Sequence, residues 1–179
     1  VGENRSVDLP RPHPAGPGIE FGTFGPRPGR ESLLARIEGT DPTAPTLLLL
    51  AHTDVVPVTP EGWSRDPFGG ELDDGYVWGR GAVDMLNLTA SMAVAFRALA
   101  KSGWKPKGTL VYSGVADDEA GGHWGAEWII DQHCDAVTSA FVLTAMGGWS
   151  SIGHCDVPRV LAHTGEQGLA AASWTQPTP

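Results

Sequence analysis

Leu47-Leu48-Leu49-Leu50 runs without a polar break and stops at Ala51-His52-Thr53-Asp54. A strand this apolar needs cover on both faces, as in the interior of a parallel sheet. Helices must then lie over that sheet, and the sequence supplies them in alternation. Leu88, Met92, Ala95, Phe96 and Leu99 recur at helical spacing, and Ser102-Gly103 closes the run. Residues 109–116 read as the next strand, 124–133 as a second helix carrying Trp124, Trp128 and Ile129, and 140–144 as a short third strand. This order predicts an α/β fold, a mostly parallel sheet flanked by helices.

Two earlier strands are expected at 19–24 and 32–37, separated by the turn Gly25-Pro26-Arg27-Pro28-Gly29. Residues 66–83 read as a hairpin, turning at Asp73-Asp74-Gly75 before Tyr76-Val77-Trp78. Pro10, Pro12, Pro14 and Pro17 make 1–18 an extended or disordered lead-in. After Gly148 the pattern weakens, and Trp174-Thr175-Gln176-Pro177-Thr178-Pro179 can finish neither a helix nor a central strand.

The chain of 179 residues fits one domain, and its net charge of −9 argues against nucleic acid as a partner; a solvated acidic surface accounts for it. Cys134 and Cys155 have no CxxC spacing, so free thiols in a reducing, cytoplasmic setting are expected. No apolar run approaches the roughly 20 residues that cross a bilayer, and no basic-then-apolar leader opens the chain, so no membrane partner is expected. The first residue is Val1 rather than Met, which suits a fragment or a processed form.

The chemistry-bearing residues stand where strands should end. His52 and Asp54 close the leucine run. Asp84 sits in Gly79-Arg80-Gly81-Ala82-Val83-Asp84, and Asp117-Asp118-Glu119 follows the strand-like 109–116. Open α/β sheets bind ligands at such ends, and a His among carboxylates suggests a hydrolytic metal site. Two residues apart in an extended strand, His52 and Asp54 face the same way. Asp54 can then accept the second ring N–H of a ligating His52, although an Asp also merely ends many strands.

Four stretches decide between these readings: Ala51-His52-Thr53-Asp54-Val55-Val56-Pro57-Val58, Trp63-Ser64-Arg65-Asp66-Pro67-Phe68, Gly79-Arg80-Gly81-Ala82-Val83-Asp84-Met85 and Ala116-Asp117-Asp118-Glu119-Ala120-Gly121-Gly122. In this order they resemble the M20 family of metallohydrolases, which includes carboxypeptidase G-like enzymes, aminoacylases, acetylornithine deacetylases and dipeptidases. The likeness runs from about residue 18 to residue 168, the first part of a zinc-exopeptidase-like catalytic domain, and leaves 169–179 as a tail. It implies that His52 ligates one zinc and that Asp54 orients it. Asp84 would bridge two zincs, with a cis peptide just after it, and Glu119 would ligate the second. Asp118 would take a proton from the attacking water as general base. Cobalt is an expected substitute for zinc.

The sequence departs from the family at several of these positions. The general-base position is usually Glu, and Asp118 is one methylene shorter; a misplacement of about 1 Å can cost on the order of 100-fold in rate. Ala145, before Met146-Gly147-Gly148, stands where the family has a ligating carboxylate. The family's late His ligand and the Gly-His-x-Ser-x-Pro segment of its lid or dimerisation domain are not within these residues. Gln167 in Gly165-Glu166-Gln167-Gly168 replaces a Lys, and Met85-Leu86-Asn87 replaces Met-Lys. A catalytic zinc takes three protein ligands and water. His52 with Asp84, and Asp84 with Glu119, leave each of two ions one short; a single ion held by all three is the alternative.

Two functions follow. The first is a zinc-dependent hydrolase of amide bonds in N-acyl amino acids or short peptides, impaired in this chain alone. The second is a non-catalytic remnant that keeps the fold as a binding module. A partial sheet would expose an edge, so a homo-oligomer stays open. His123, His133, His154 and His163 read as surface or capping groups, and Trp124 and Trp128 as core.

Overall fold

The computed structural model describes residues 19–145 in full and, beyond them, the backbone of strands at 147–152, 158–163 and 169–172. The lead-in 1–18, the Gly165–Gly168 turn, His154 and Cys155 lie outside the described residues. The chain divides into two compact units, Val1–Leu143 and Thr144–Pro179.

The first unit runs β1 (Ile19–Phe24), β2 (Ser32–Ile37), β3 (Leu47–His52), β4 (Glu71–Asp73), β5 (Tyr76–Trp78), α1 (Leu86–Lys101), β6 (Leu110–Val115), α2 (Ala126–Val137) and β7 (Phe141–Leu143). Five strands form one sheet in the order β1-β2-β6-β3-β7. The α/β architecture is as the sequence predicts, and the sheet is mixed. β3 is parallel to both β6 and β7, whereas β2 is antiparallel to β1 and β6. The antiparallel edge has a simple cause: the connection between β1 and β2 is far shorter than the dozen or more residues that a parallel crossover needs.

β6 lies at the centre and is buried along its whole length. Its two faces pack against different helices. Tyr112 meets Phe96 of α1 at 6.2 Å between ring centroids, and its hydroxyl donates to Thr89 O at 3.2 Å. On the opposite face Leu34, Val115 and Ile129 of α2 form a buried cluster, with Phe24, Leu50 and Trp128 packed around it. Each such aliphatic side chain contributes roughly 1.5–3 kcal/mol by leaving water.

α1 is rich in Ala and Leu, both strong helix formers. It stops where Gly103 turns to φ 72°. Its buried stripe is Thr89, Met92 and Phe96, continuing from Met85 just before the helix. Leu88, Ala95 and Leu99, expected inside, lie on the exposed side. A polar residue takes the inner position because its hydroxyl is fully used: Thr89 Oγ1 donates to His52 O at 2.7 Å and lies 3.0 Å from Met85 O.

The hairpin is present as β4 paired antiparallel with β5, its turn made by Asp74 (φ 47°) and Gly75 (φ 80°). Trp124 is a correction. It precedes α2 and is 42% exposed, with the Arg27 guanidinium 4.7 Å from its ring centre. His133 is half-buried and packs edge-on against Phe24 and Trp128, at 4.8 and 5.1 Å between ring centroids. Cys134 is a free, exposed thiol.

The second unit contains β8 (Gly147–Ile152), β9 (Pro158–His163) and β10 (Leu169–Ala172), an antiparallel sheet in the order β10-β9-β8. The weak pattern after Gly148 had suggested no such elements. Among the described residues no helix is long and apolar enough to cross a membrane.

Candidate metal centre

The parallel pairing of β3 with β6 brings their C-terminal ends together. Thr53 seals the junction, its N–H donating to Val115 O at 2.8 Å and its hydroxyl to the same oxygen at 3.1 Å. His52 is therefore fixed at the sheet end and only 6% exposed. Its backbone is held on the other side as well, its N–H on Met85 Sδ at 3.4 Å and its carbonyl on the Thr89 hydroxyl.

Met85 links this strand end to the loop that carries Asp84. Gly81 at φ 80° and the bond from Leu86 N–H to Gly81 O at 2.9 Å turn that loop into α1. The Asp84–Met85 peptide is cis, as the resemblance implies. Asp84 Oδ1 lies 3.2 Å from His52 Nε2, with 73% of the Asp84 side chain exposed.

The third contributor is the loop after β6. Asp117 (φ 66°) leads into a single 3-10 turn, Asp118–Ala120, and Gly121 (φ 105°) and Gly122 (φ 75°) lead out of it. Asp118 Oδ2 comes within 3.9 Å of His52 Nε2. Gly125, which opens α2, presses so closely on β6's exit that a Cβ there would sit 1.7 Å from Ala116 O. Only glycine permits that approach.

The backbone oxygen of Asp54, rather than the expected carboxylate, meets the His52 ring. His52 Nδ1 lies 3.0 Å from Asp54 O, while the Asp54 carboxylate stands 3.7 Å away, beyond hydrogen-bond reach. The carboxylate is used elsewhere, accepting the N–H of Asp118 at 3.2 Å and of Glu119 at 3.0 Å. Spacing along β3 shows that His52 and Asp54 can face one way; it carries no sign of those cross-loop donors.

A carbonyl only accepts, so Nδ1 carries a proton toward Asp54 O, and Nε2 faces Asp84. Two acceptors 3.2 Å apart need a proton or a cation between them. Donors about 2.0–2.1 Å from a tetrahedral ion stand about 3.3 Å apart, so the His52–Asp84 separation suits one. Ligand atoms of His52, Asp84 and Glu119 all lie within 4.8 Å of one another, and among the described residues no other three His, Cys, Asp or Glu come as close. Burial, and then the Asp84 carboxylate, push the Glu119 carboxyl above its ordinary range, with Asp54 and Asp118 adding to the effect and His52 opposing it. A divalent ion would offset the negative charge that Asp84, Asp54 and Asp118 bring to bear on Glu119. The donor set fits a metal.

All five residues singled out from the sequence, His52, Asp54, Asp84, Asp118 and Glu119, meet here. Ala145 belongs to the second unit. Asp117 and Arg30 were missed as partners: Arg30 Nη1 lies 2.9 Å from Asp117 Oδ1. Only the acidic run itself could have flagged Asp117, since the β2–β6 pairing that delivers Arg30 leaves no local motif.

The profile of peptidase family M20/M25/M40 matches residues 48–166. N-fatty-acyl-amino acid synthase/hydrolase PM20D1 of Xenopus tropicalis is 39% identical over 116 residues, which are 64% of this chain and 23% of that protein. Aminoacylase-1 of Sus scrofa is 41% identical over 118 residues, 65% of this chain and 29% of that protein. The chain thus spans about a quarter of the length of these relatives. Among solved structures, the M20 family metallo-carboxypeptidase Sso-CP2 from Sulfolobus solfataricus superposes with a TM-score of 0.64 at 20% identity, covering 80% of this chain and 31% of that one. Human carnosine dipeptidase 1 gives 0.58 at 21% identity, covering 81% and 31%. Both share the fold.

Proposed function

The chain belongs to peptidase family M20/M25/M40, and from that membership we propose that it carries part of the metal centre of a zinc-dependent hydrolase of amide bonds in N-acyl amino acids or short peptides. The observation that carries this reading is the convergence of His52, Asp84 and Glu119 within 4.8 Å at the sheet end. The names of the relatives, an acyl-amino acid hydrolase and an aminoacylase, support a small acylated amino acid as substrate.

His52, Asp84 and Glu119 would hold the metal. Zinc in such a setting supplies a Lewis acid for the substrate carbonyl and a nucleophile from water at neutral pH. The chain's own residues do the rest. His52 keeps its Nε2 lone pair available because Nδ1 is committed to Asp54 O. Asp118, half-exposed and within 3.9 Å of Nε2, takes the proton of the attacking water and returns it to the leaving amine. Asp54 holds the Asp118 and Glu119 backbones at the distance this requires.

For these residues alone we propose metal binding with weak turnover. Two ions with three protein ligands each need more donors than His52, Asp84 and Glu119, and Ala145 stands at a position where the family resemblance implies a carboxylate. The free, exposed Cys134 supports a cytoplasmic setting.

The test is hydrolysis of a panel of N-acyl amino acids and dipeptides by the zinc-loaded protein, read as release of free amino acid. Hydrolysis that falls on the order of 100-fold or more in Asp118→Asn supports the assignment. A zinc-loaded protein that cleaves none of the panel, or a variant as fast as its parent, refutes it.

A further inference from the structure

Asp117 sits directly before Asp118 and Glu119, yet its carboxylate is turned to partners outside the centre. It is only 2% exposed. One carboxylate oxygen pairs with Arg30 Nη1 at 2.9 Å, and the other accepts the Trp124 N–H at 3.2 Å. Its carbonyl accepts from Ala120 at 3.2 Å and Gly122 at 2.7 Å, closing the turn that displays Asp118 and Glu119. The preceding residue is tied to the same neighbourhood, Ala116 N–H donating to the buried Ser32 hydroxyl at 3.0 Å.

The acidic loop is thus held from two sides. Asp54 takes its N–H groups at the metal centre, and Arg30 and Ser32 at the start of β2 hold its other end. Asp117 also adopts φ 66°, ψ 12°, a left-handed conformation that costs a non-glycine residue energy and persists only where surrounding contacts impose it. Arg30 gives the buried Asp117 carboxylate a charged partner at 2.9 Å. Without it, a buried carboxylate oxygen loses the partner that holds it, and the turn closed by Asp117 is released.

We propose that Asp117, clamped by Arg30, is a positioning residue for the metal centre, setting where Glu119 and Asp118 stand relative to His52 and Asp84. Arg30 thereby controls metal affinity without being a ligand. The proposal rests on the reading of His52, Asp84 and Glu119 as a metal site.

The test uses the full chain with three variants, Arg30→Gln, Asp117→Asn and Arg30→Lys. Zinc affinity is read by competition with a chromophoric chelator, coordination by the visible absorption of added cobalt, and loop order by hydrogen exchange of residues 117–125 in metal-free protein. Outer partners of metal ligands commonly affect affinity by about 10–100-fold. Arg30→Gln and Asp117→Asn should weaken zinc about 10-fold, change the cobalt spectrum and speed exchange in the loop, while β6 and α1 keep the parent's protection. Arg30→Lys should recover most of the loss, because it restores the charge. Arg30, partly exposed, can be replaced without opening the core, so the comparison holds even if Asp117→Asn folds poorly. A parent that binds zinc while Arg30→Gln matches it within twofold, with unchanged exchange, overturns the clamp alone. A parent that holds neither zinc nor cobalt overturns the metal-site reading, and the proposal falls with it.

Discussion

Replacing Gly125 with alanine tests whether packing at the start of α2 sets the metal centre. The added Cβ would lie 1.7 Å from Ala116 O and 2.8 Å from Ala116 C, both backbone atoms with no side-chain rotation to relieve them. Reaching ordinary contact near 3.4 Å requires the helix start and the β6 exit to part by about 1.7 Å. Overpacking of this kind typically costs about 1–3 kcal/mol, and an encounter between backbone elements belongs at the upper end. The displaced segment leads directly into Asp117, Asp118 and Glu119. Metal sites tolerate ligand shifts of only about 0.2 Å, so zinc affinity should fall at least about 10-fold. The assay is urea unfolding of metal-free protein followed by tryptophan fluorescence, with zinc affinity measured on the same samples. Gly62→Ala is the control, since a Cβ there meets open space, and it should stay within about 0.5 kcal/mol of the parent. If Gly125→Ala also stayed within about 0.5 kcal/mol and bound zinc as the parent does, the close approach would not be what holds the acidic loop.

Tyr112 gives a pH test of the core. Burial pushes its hydroxyl up to about 12, against about 10 in an unfolded chain. The folded state therefore keeps its proton through that window while the unfolded state loses it, so stability is full below about pH 10 and falls as pH rises toward about 12, by up to about 2–3 kcal/mol. Tyr112→Phe should cost about 1 kcal/mol at neutral pH through the lost bond to Thr89 O and should flatten this alkaline decline in urea midpoints; an unchanged slope would contradict the burial argument. Asp54→Asn leaves one oxygen where two now accept the Asp118 and Glu119 N–H groups, and zinc affinity should drop about 10-fold in chelator competition. The raised carboxyl of Glu119 makes metal binding sensitive to mild acid. Affinity should hold at neutral pH and fall as pH descends through that raised range, because protons and metal compete for the same oxygens, and a pH series of zinc titrations checks it.

Local patterns were the legible part of this fold. The leucine run, the helix that ends at Ser102-Gly103 and the Asp74-Gly75 turn each report their own conformation, and the motifs around His52, Asp84 and Glu119 pointed to three residues that converge at the sheet end. What stayed hidden depends on pairings distant in sequence. The apolar spacing alone placed Leu88 and Leu99 inside α1's buried face, because nothing local shows that Thr89 has two buried acceptors waiting. The antiparallel β2–β6 pairing brings Arg30 to Asp117, some 87 positions apart in the sequence, and no periodicity encodes that meeting. The Asp54 carboxylate likewise finds its donors 64 and 65 residues away. The last strands, Gly-Gly-Trp-Ser-Ser-Ile, Pro-Arg-Val-Leu-Ala-His and Leu-Ala-Ala-Ala, show no regular alternation of apolar and polar residues, so they carried little signal.

The central claim is that His52, Asp84 and Glu119 hold a divalent metal, and the most direct measurement is metal content and zinc affinity of the purified protein beside His52→Ala, Asp84→Ala and Glu119→Ala. The parent should retain zinc after dialysis, with one or two ions per chain by elemental analysis. Each substitution should lower the affinity at least about 10-fold while leaving the thermal unfolding of the metal-free chain close to the parent's. A parent free of zinc after zinc loading, or variants that retain it as tightly as the parent, would contradict the account.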